Sequence, residues 1–157
     1  MDRLVSPAFA PEALAHIFCI KPLLGHSTSV SHILTDSRSL IQPEATLFFA
    51  IRTESGDGHQ YIEALYIAGV RSFVVERMTG QESTRYPGAN WYVVPSSITA
   101  LQQLARAHRE RFSRLEVLGI TGSNGKTIVK ELLYQLLATR YTTVRSPRSY
   151  NSQIGVP

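Results

Sequence analysis

The sequence predicts an α/β protein: a small mixed α/β domain over residues 1–112, then the opening of a parallel-sheet domain built on a phosphate-binding loop over residues 113–157. Three observations carry this. Short β-branched runs alternate with stretches whose apolar residues recur at helical spacing. Near the end, a glycine-rich turn (Gly119 to Thr127) joins an apolar run, Leu115 to Ile120, to a helical pattern of Val129, Leu132, Leu133, Leu136 and Leu137. Finally, charge divides the chain. Residues 1–105 carry seven Lys/Arg against nine Asp/Glu, or −2, and residues 106–157 carry nine against three, or +6.

The elements follow in order. Pro11-Glu12-Ala13-Leu14 opens a short helix, proline being tolerated in a first turn. Cys19 lies in the apolar stretch Ile17 to Ile20 and reads as a buried core thiol; a lone cysteine allows no internal disulfide and fits a reducing compartment. Leu23 to Ser31 is a loop, and Val30 to Thr35 a strand ending in Thr35-Asp36-Ser37-Arg38. By itself that ending is a turn with a solvated arginine. Thr46 to Ile51 is an apolar strand and Arg52 to Gly58 a polar loop. Asp57 caps a helix whose inner face is Tyr61, Ile62, Leu65 and Tyr66, and Gly69 stops it. His59, in the first turn, is structural or exposed on its own evidence. Arg71 to Glu76 is a strand, Met78 to Asn90 a polar excursion turning at Pro87-Gly88, and Trp91 to Val94 a strand. Ser96 or Ser97 then caps a helix bearing Ile98, Leu101, Leu104, His108 and Phe112, with His108 read as packing. Arg109 to Arg114 makes a domain junction. Tyr141 to Val144 is β-prone, and Ser146-Pro147-Arg148 is a turn.

The turn before Lys126 carries the chemistry. Strand, glycine-rich turn, Gly125-Lys126-Thr127 and helix form the setting of a phosphate-binding loop. Glycines let backbone N–H groups close around phosphate oxygens, and a helix N-terminus adds partial positive charge. Lys126 would reach the β/γ-phosphates and the Thr127 hydroxyl would ligate Mg²⁺. The spacing is not G-x-x-x-x-G-K-[ST], because Ile120 stands where the first glycine should be; a turn that binds nothing is the structural alternative. The basic tail lacks the aromatic interleaving of a nucleic-acid surface. No apolar run is long enough for a membrane span, and Met1-Asp2-Arg3 does not open a signal peptide. One strand, one helix and one more strand cannot complete a nucleotide-binding sheet covered on both faces. The chain therefore reads as part of a larger protein.

Taken together, these segments resemble the Mur ligases, the enzymes that build the peptidoglycan stem peptide. Thr121-Gly122-Ser123-Asn124-Gly125-Lys126-Thr127 is similar to that family's loop, T-G-x-x-G-K-[ST], which accommodates Ile120. Asp36-Ser37-Arg38, Phe48-Phe49-Ala50 and Asp57-Gly58-His59 match its D-S-R, F-x-A and D-G-H elements in order. Lys130-Glu131 after the loop and Asn151 to Pro157 are similar to the members that add D-alanyl-D-alanine, some of which precede an alanine racemase domain. Ser152 departs from the second asparagine of that motif, and Thr53 stands where many relatives have glycine.

The resemblance implies an ATP-dependent amide-bond ligase working in the cytoplasm with ATP and Mg²⁺. The γ-phosphate would pass to the terminal carboxylate of UDP-N-acetylmuramoyl tripeptide, and D-alanyl-D-alanine would attack the acyl phosphate. Lys126 and Thr127 would be catalytic, with Thr127 also the metal ligand. Gly122, Ser123, Asn124 and Gly125 would cradle the triphosphate. Ser37 and Arg38 would contact the uridine end, Asp57, Gly58 and His59 the adjacent wall, and Asn151 the sugar diphosphate. Residues 1–157 alone are expected to be inactive, and to self-associate or lose order after about residue 113. The other reading is a UDP-sugar-binding module, or part of another phosphate-loop ATPase, including the tripeptide-forming Mur ligase.

Overall fold

The computed structural model describes residues 8–53 and 56–146. The chain divides into two compact units, Met1–His108 and Arg109–Pro157.

In the first unit, α1 (Pro11–Phe18) precedes β1 (His32–Leu34), β2 (Thr46–Phe49), the hairpin strands β3 (Arg52–Thr53) and β4 (Gly56–Asp57), and α2 (Ile62–Ile67). β5 (Ser72–Val75), α3 (Glu82–Arg85), β6 (Asn90–Val93) and α4 (Ser97–Glu110) follow. Four strands make a wholly parallel sheet in the order β1-β2-β5-β6. Its register sets Leu47 beside Ile33 and Ser72, and Phe73 beside Phe48 and Trp91.

A parallel sheet must be covered on both faces, which is why β2 and β5 are buried at every residue rather than alternating. One face gathers Phe48, Phe73 and Trp91 with Ile62 and Leu65 of α2, and with Val70 and Tyr86. On the other, Phe18 of α1 meets Phe49 and Tyr92 edge-on at 6.3 and 5.8 Å. Each fully buried aromatic or aliphatic side chain contributes about 1.5–3 kcal/mol of transfer free energy, so these faces hold the unit together.

Several expectations meet the structure directly. The proline-opened helix, the strands around 46–49, 72–75 and 90–93, and the helix capped by Ser96 are present; Ser96 Oγ accepts the Thr99 N–H at 3.3 Å. His108 packs against Phe9, ring centroids 6.1 Å apart. Phe112, placed on the apolar stripe by spacing, lies past the end of α4 and is 42% exposed.

Other expectations are corrected. Cys19 is exposed, not buried. It caps α1 in a left-handed conformation (φ 54°), with its backbone N–H on His16 O, and that reversal carries the side chain off the packed face. The loop expected over 52–58 contains the β3–β4 hairpin, and the excursion over 78–90 contains α3. Leu115 to Ile120 forms no strand and neither does Tyr141 to Val144, because a strand exists only where a partner completes its hydrogen bonds and none does so among the described residues.

In the second unit, α5 spans Lys126–Leu137. Its apolar residues Ile128, Leu132 and Leu136 are more than half exposed. Arg145 pairs with Glu131 at 3.2 Å and lies over the Tyr134 ring, and Lys130 donates to Ser146 O at 2.8 Å, fastening residues 145–146 to the helix. No helix among the described residues is long and apolar enough to cross a membrane.

Candidate functional site

The phosphate-loop candidates all lie in the second unit. Gly125 is the residue before α5 and sits at φ 78°, and Gly122 sits at φ 144°. Neither a Cβ at Gly125 nor one at Gly119 would meet any atom within 4 Å. At Gly125, then, glycine is required by backbone conformation and not by crowding. From Gly122 to Thr127 the loop is open to solvent. Lys126, the first residue of α5, folds back so that its Nζ donates to Gly122 O and, at 3.3 Å, to Ser123 O. The loop thus has an exposed helix N-terminus, a left-handed glycine before it, and an ammonium group parked on its own carbonyls.

The substrate-side candidates lie in the first unit, where parallel strands bring their carboxyl ends to one edge. Asp36, just beyond β1, caps the turn Ser37–Ser39 and accepts the Arg38 backbone N–H at 3.1 Å. The Arg38 guanidinium returns to the same carboxylate through Nε and Nη2, at 2.9 and 2.7 Å. These bonds hold the Asp36 carboxyl down to about 2. Ser37 is half-buried beside an arginine that is 87% exposed.

Beyond β2, Asp57-Gly58-His59 is packed and bonded. Asp57 caps the following turn, accepting the His59 N–H at 3.0 Å, His59 Nδ1–H at 2.6 Å and Arg77 Nη2–H at 2.5 Å. His59 Nε2 accepts the Glu76 backbone N–H at 3.3 Å, so its proton sits on Nδ1. The imidazole therefore bridges the Asp57 turn and the end of β5 instead of offering a free nitrogen. Gly58 is dictated by crowding: a Cβ there would lie 2.8 Å from Ile51 N and 2.9 Å from Ala50 C. Gly58→Ala is accordingly expected to cost about 1–3 kcal/mol, the range for overpacking against rigid neighbours, read as a lower urea midpoint. A midpoint unchanged within error would show that the Ala50–Ile51 backbone gives way freely.

The His59 backbone N–H, and then its side chain, lower the Asp57 carboxyl below the ordinary range. A depressed folded value means the stabilisation is complete above the unfolded value, about 3.9, and is lost as pH falls through the folded value. Stability measured by urea from pH 6 downward is expected to show an acid limb that Asp57→Asn flattens. An identical limb in both proteins would mean that other carboxylates set it.

Sequence reasoning named Ser37, Arg38, Asp57, Gly58 and His59 as candidates, but gave no sign that Arg77 and Glu76 bond to Asp57 and His59. Their contribution depends on β5 ending beside the Asp57 turn, some twenty positions away in sequence, and no local pattern marks it. Asn151 lies outside the described residues.

No family model matches the chain. It is 36% identical over 132 residues to the UDP-N-acetylmuramoyl-tripeptide–D-alanyl-D-alanine ligase of Bacillus subtilis, covering 83% of this chain. The chain belongs to the Mur ligase family. It spans 27% of that relative's length. Among solved structures, the MurF of Acinetobacter baumannii superposes with a TM-score of 0.84 at 26% identity, over 97% of this chain and 32% of that one. The MurF ligase of Thermotoga maritima, solved with ADP, gives 0.67 at 31% identity, over 79% and 27%. The parallel-sheet architecture matches the same structures.

Proposed function

We propose that this chain contributes the UDP-muramoyl-peptide-binding domain (residues 1–112) and the opening of the ATP-binding domain (residues 113–157) of a cytoplasmic ligase. That ligase adds D-alanyl-D-alanine to UDP-N-acetylmuramoyl tripeptide through an acyl phosphate. The observation that carries the reading is the loop before α5, where a left-handed Gly125 presents Lys126 and Thr127 at an exposed helix N-terminus. The names of its relatives, and the ADP held by the Thermotoga neighbour, support the same reading.

In this scheme backbone N–H groups of Gly122, Ser123, Asn124 and Gly125 receive the triphosphate. Lys126 leaves the Gly122 and Ser123 carbonyls for phosphate oxygens and offsets charge on the transferring group. Thr127 supplies one hydroxyl to Mg²⁺. Among the described residues no three His, Cys, Asp or Glu cluster as a metal cage, and a Mg²⁺ held through one hydroxyl, phosphates and water fits that donor set. When bound, the ion would supply positive charge that offsets the charge developing on the transferring group. Ser37 and Arg38 receive the uridine end, with Asp57, Gly58 and His59 as the adjoining wall. Given its bonds, His59 acts by holding that wall.

The test is ATP turnover by the complete ligase, expected only when both UDP-N-acetylmuramoyl tripeptide and D-alanyl-D-alanine are supplied. Turnover that ignores either substrate would sink the reading. Calorimetric titration of residues 1–157 with the UDP compound, apart from Mg-ATP, then separates the two halves. Saturable binding without nucleotide supports recognition within residues 1–112, and ligation by residues 1–157 alone is not expected.

A further inference from the structure

Residues 1–108 contain four tyrosines, and the fold uses three of them. Tyr92 is buried and meets Phe18 edge-on at 5.8 Å, and Tyr86 meets Tyr66 at 5.1 Å and Trp91 at 5.7 Å. The Tyr66 hydroxyl donates to Pro87 O at 2.9 Å. Tyr61 is different. Helical spacing sets it on the packed face with Ile62 and Leu65, yet those two are buried and Tyr61 is 44% exposed. It closes the short turn Gly58–Tyr61 that Asp57 caps, one residue before α2 begins. Its ring joins no aromatic pair among the described residues.

Two observations set that residue close to the turn at Ser37. Leu40, which closes the Ser37–Ser39 turn, packs against the core cluster that holds Ile62, the neighbour of Tyr61. The Arg38 guanidinium is also raised above its ordinary value, first by the side-chain bond to Asp36, then by the charge of that carboxylate, and after these by Tyr61. Arg38 is tied to Asp36 through Nε and Nη2, at 2.9 and 2.7 Å, while its side chain stays 87% exposed. Two bonds along one edge fix the plane of a guanidinium and leave its faces open. Two flat groups, a planar cation and an unpaired phenol ring, therefore come from the two segments assigned to the substrate. The one aromatic ring of UDP-N-acetylmuramoyl tripeptide is its uracil, and bases stack on aromatic rings and on guanidinium planes alike.

We propose that Tyr61 stacks on the nucleobase of the substrate, with the Arg38 guanidinium as a second flat surface beside it. The inference rests on the reading of Ser37 and Arg38 as the uridine end, and it adds a residue that this reading does not include.

Calorimetric titration of residues 1–157 with UDP tests it, alongside UDP whose uracil is saturated at C5–C6. The saturated ring keeps its carbonyl and N–H groups but loses its flat π-face. Wild type is expected to bind UDP saturably and the saturated analogue about tenfold more weakly, the scale of one base–aromatic stack. Tyr61→Ala is expected to lose about the same factor toward UDP and nothing further toward the analogue. Tyr61→Phe keeps the ring and should bind UDP as wild type does. UDP binding indifferent to Tyr61→Ala overturns the inference alone, as does equal binding of the two ligands by wild type. No binding of UDP by wild type overturns the uridine-end reading and the inference with it. Should Tyr61→Ala fail to fold, the two wild-type titrations decide.

Discussion

Asn90→Ala is expected to lower the stability of the first unit by about 3 kcal/mol, enough to move its thermal midpoint by about 10–20 °C. Asn90 begins β6 and is fully buried. Its Oδ1 accepts the backbone N–H groups of Gly25 and His26, at 2.7 and 3.0 Å, and its Nδ2 donates to His26 O at 3.1 Å. One side chain thus satisfies three main-chain groups of a segment that has no strand or helix to satisfy them. Alanine would strand all three. The clamp also sits at a close backbone approach, since a Cβ on Gly25 would lie 2.5 Å from Gly88 C, which leaves the 25–26 segment little room to shift toward other partners. Asn90→Asp sharpens the test. It keeps the acceptor but loses the donor to His26 O, so it should also destabilise, the more so with its charge buried. Urea unfolding of the three proteins at one pH checks this, and an alanine variant within about 1 kcal/mol of wild type would mean that solvent replaces the clamp.

Lys126→Met is expected to lower kcat of the complete ligase about 10²–10³-fold, the usual loss when one preorganised donor to developing charge is removed. Lys126 is exposed and bonded only to carbonyls of its own loop among the described residues, so thermal stability should stay at the wild-type value. That split distinguishes a chemical role from a structural one. A variant within tenfold of wild-type kcat would remove Lys126 from the mechanism, and a large fall in stability would make the lysine a loop brace. Lys126→Arg is a useful companion: a planar guanidinium does not reproduce a compact ammonium at the loop, so little recovery is expected.

These two residues also mark what a sequence reader can and cannot see. Lys126 is legible because its chemistry is local: glycine, lysine and threonine at a turn before a helix need only their neighbours to make sense. β2 is legible for the same reason, its Thr46-Leu47-Phe48-Phe49 run being apolar on both sides. Asn90 is silent in sequence, because an asparagine before a strand looks like a turn residue until the Gly25–His26 segment arrives from sixty-four and more positions away. Cys19 misleads through its apolar neighbours, since one left-handed residue reverses the direction in which its side chain leaves the helix. Leu115 to Ile120 has strand composition without a strand. The Asp57-Gly58-His59 motif was visible as a motif, but its physical content was not: a glycine demanded by the Ala50–Ile51 backbone and a histidine spent on Asp57 and Glu76.

The strand order β1-β2-β5-β6 has a consequence for synthesis. Every strand of the main sheet pairs with the one made just before it in that sheet, and none is inserted between two that are already joined. A ribosome releasing this chain can therefore extend the sheet outward from β1, each new strand finding its partner already in place. Such a topology avoids the long closures that slow most parallel sheets. The short interval before β6 emerges, when β5 is still an open edge, is when a chaperone would have most to protect.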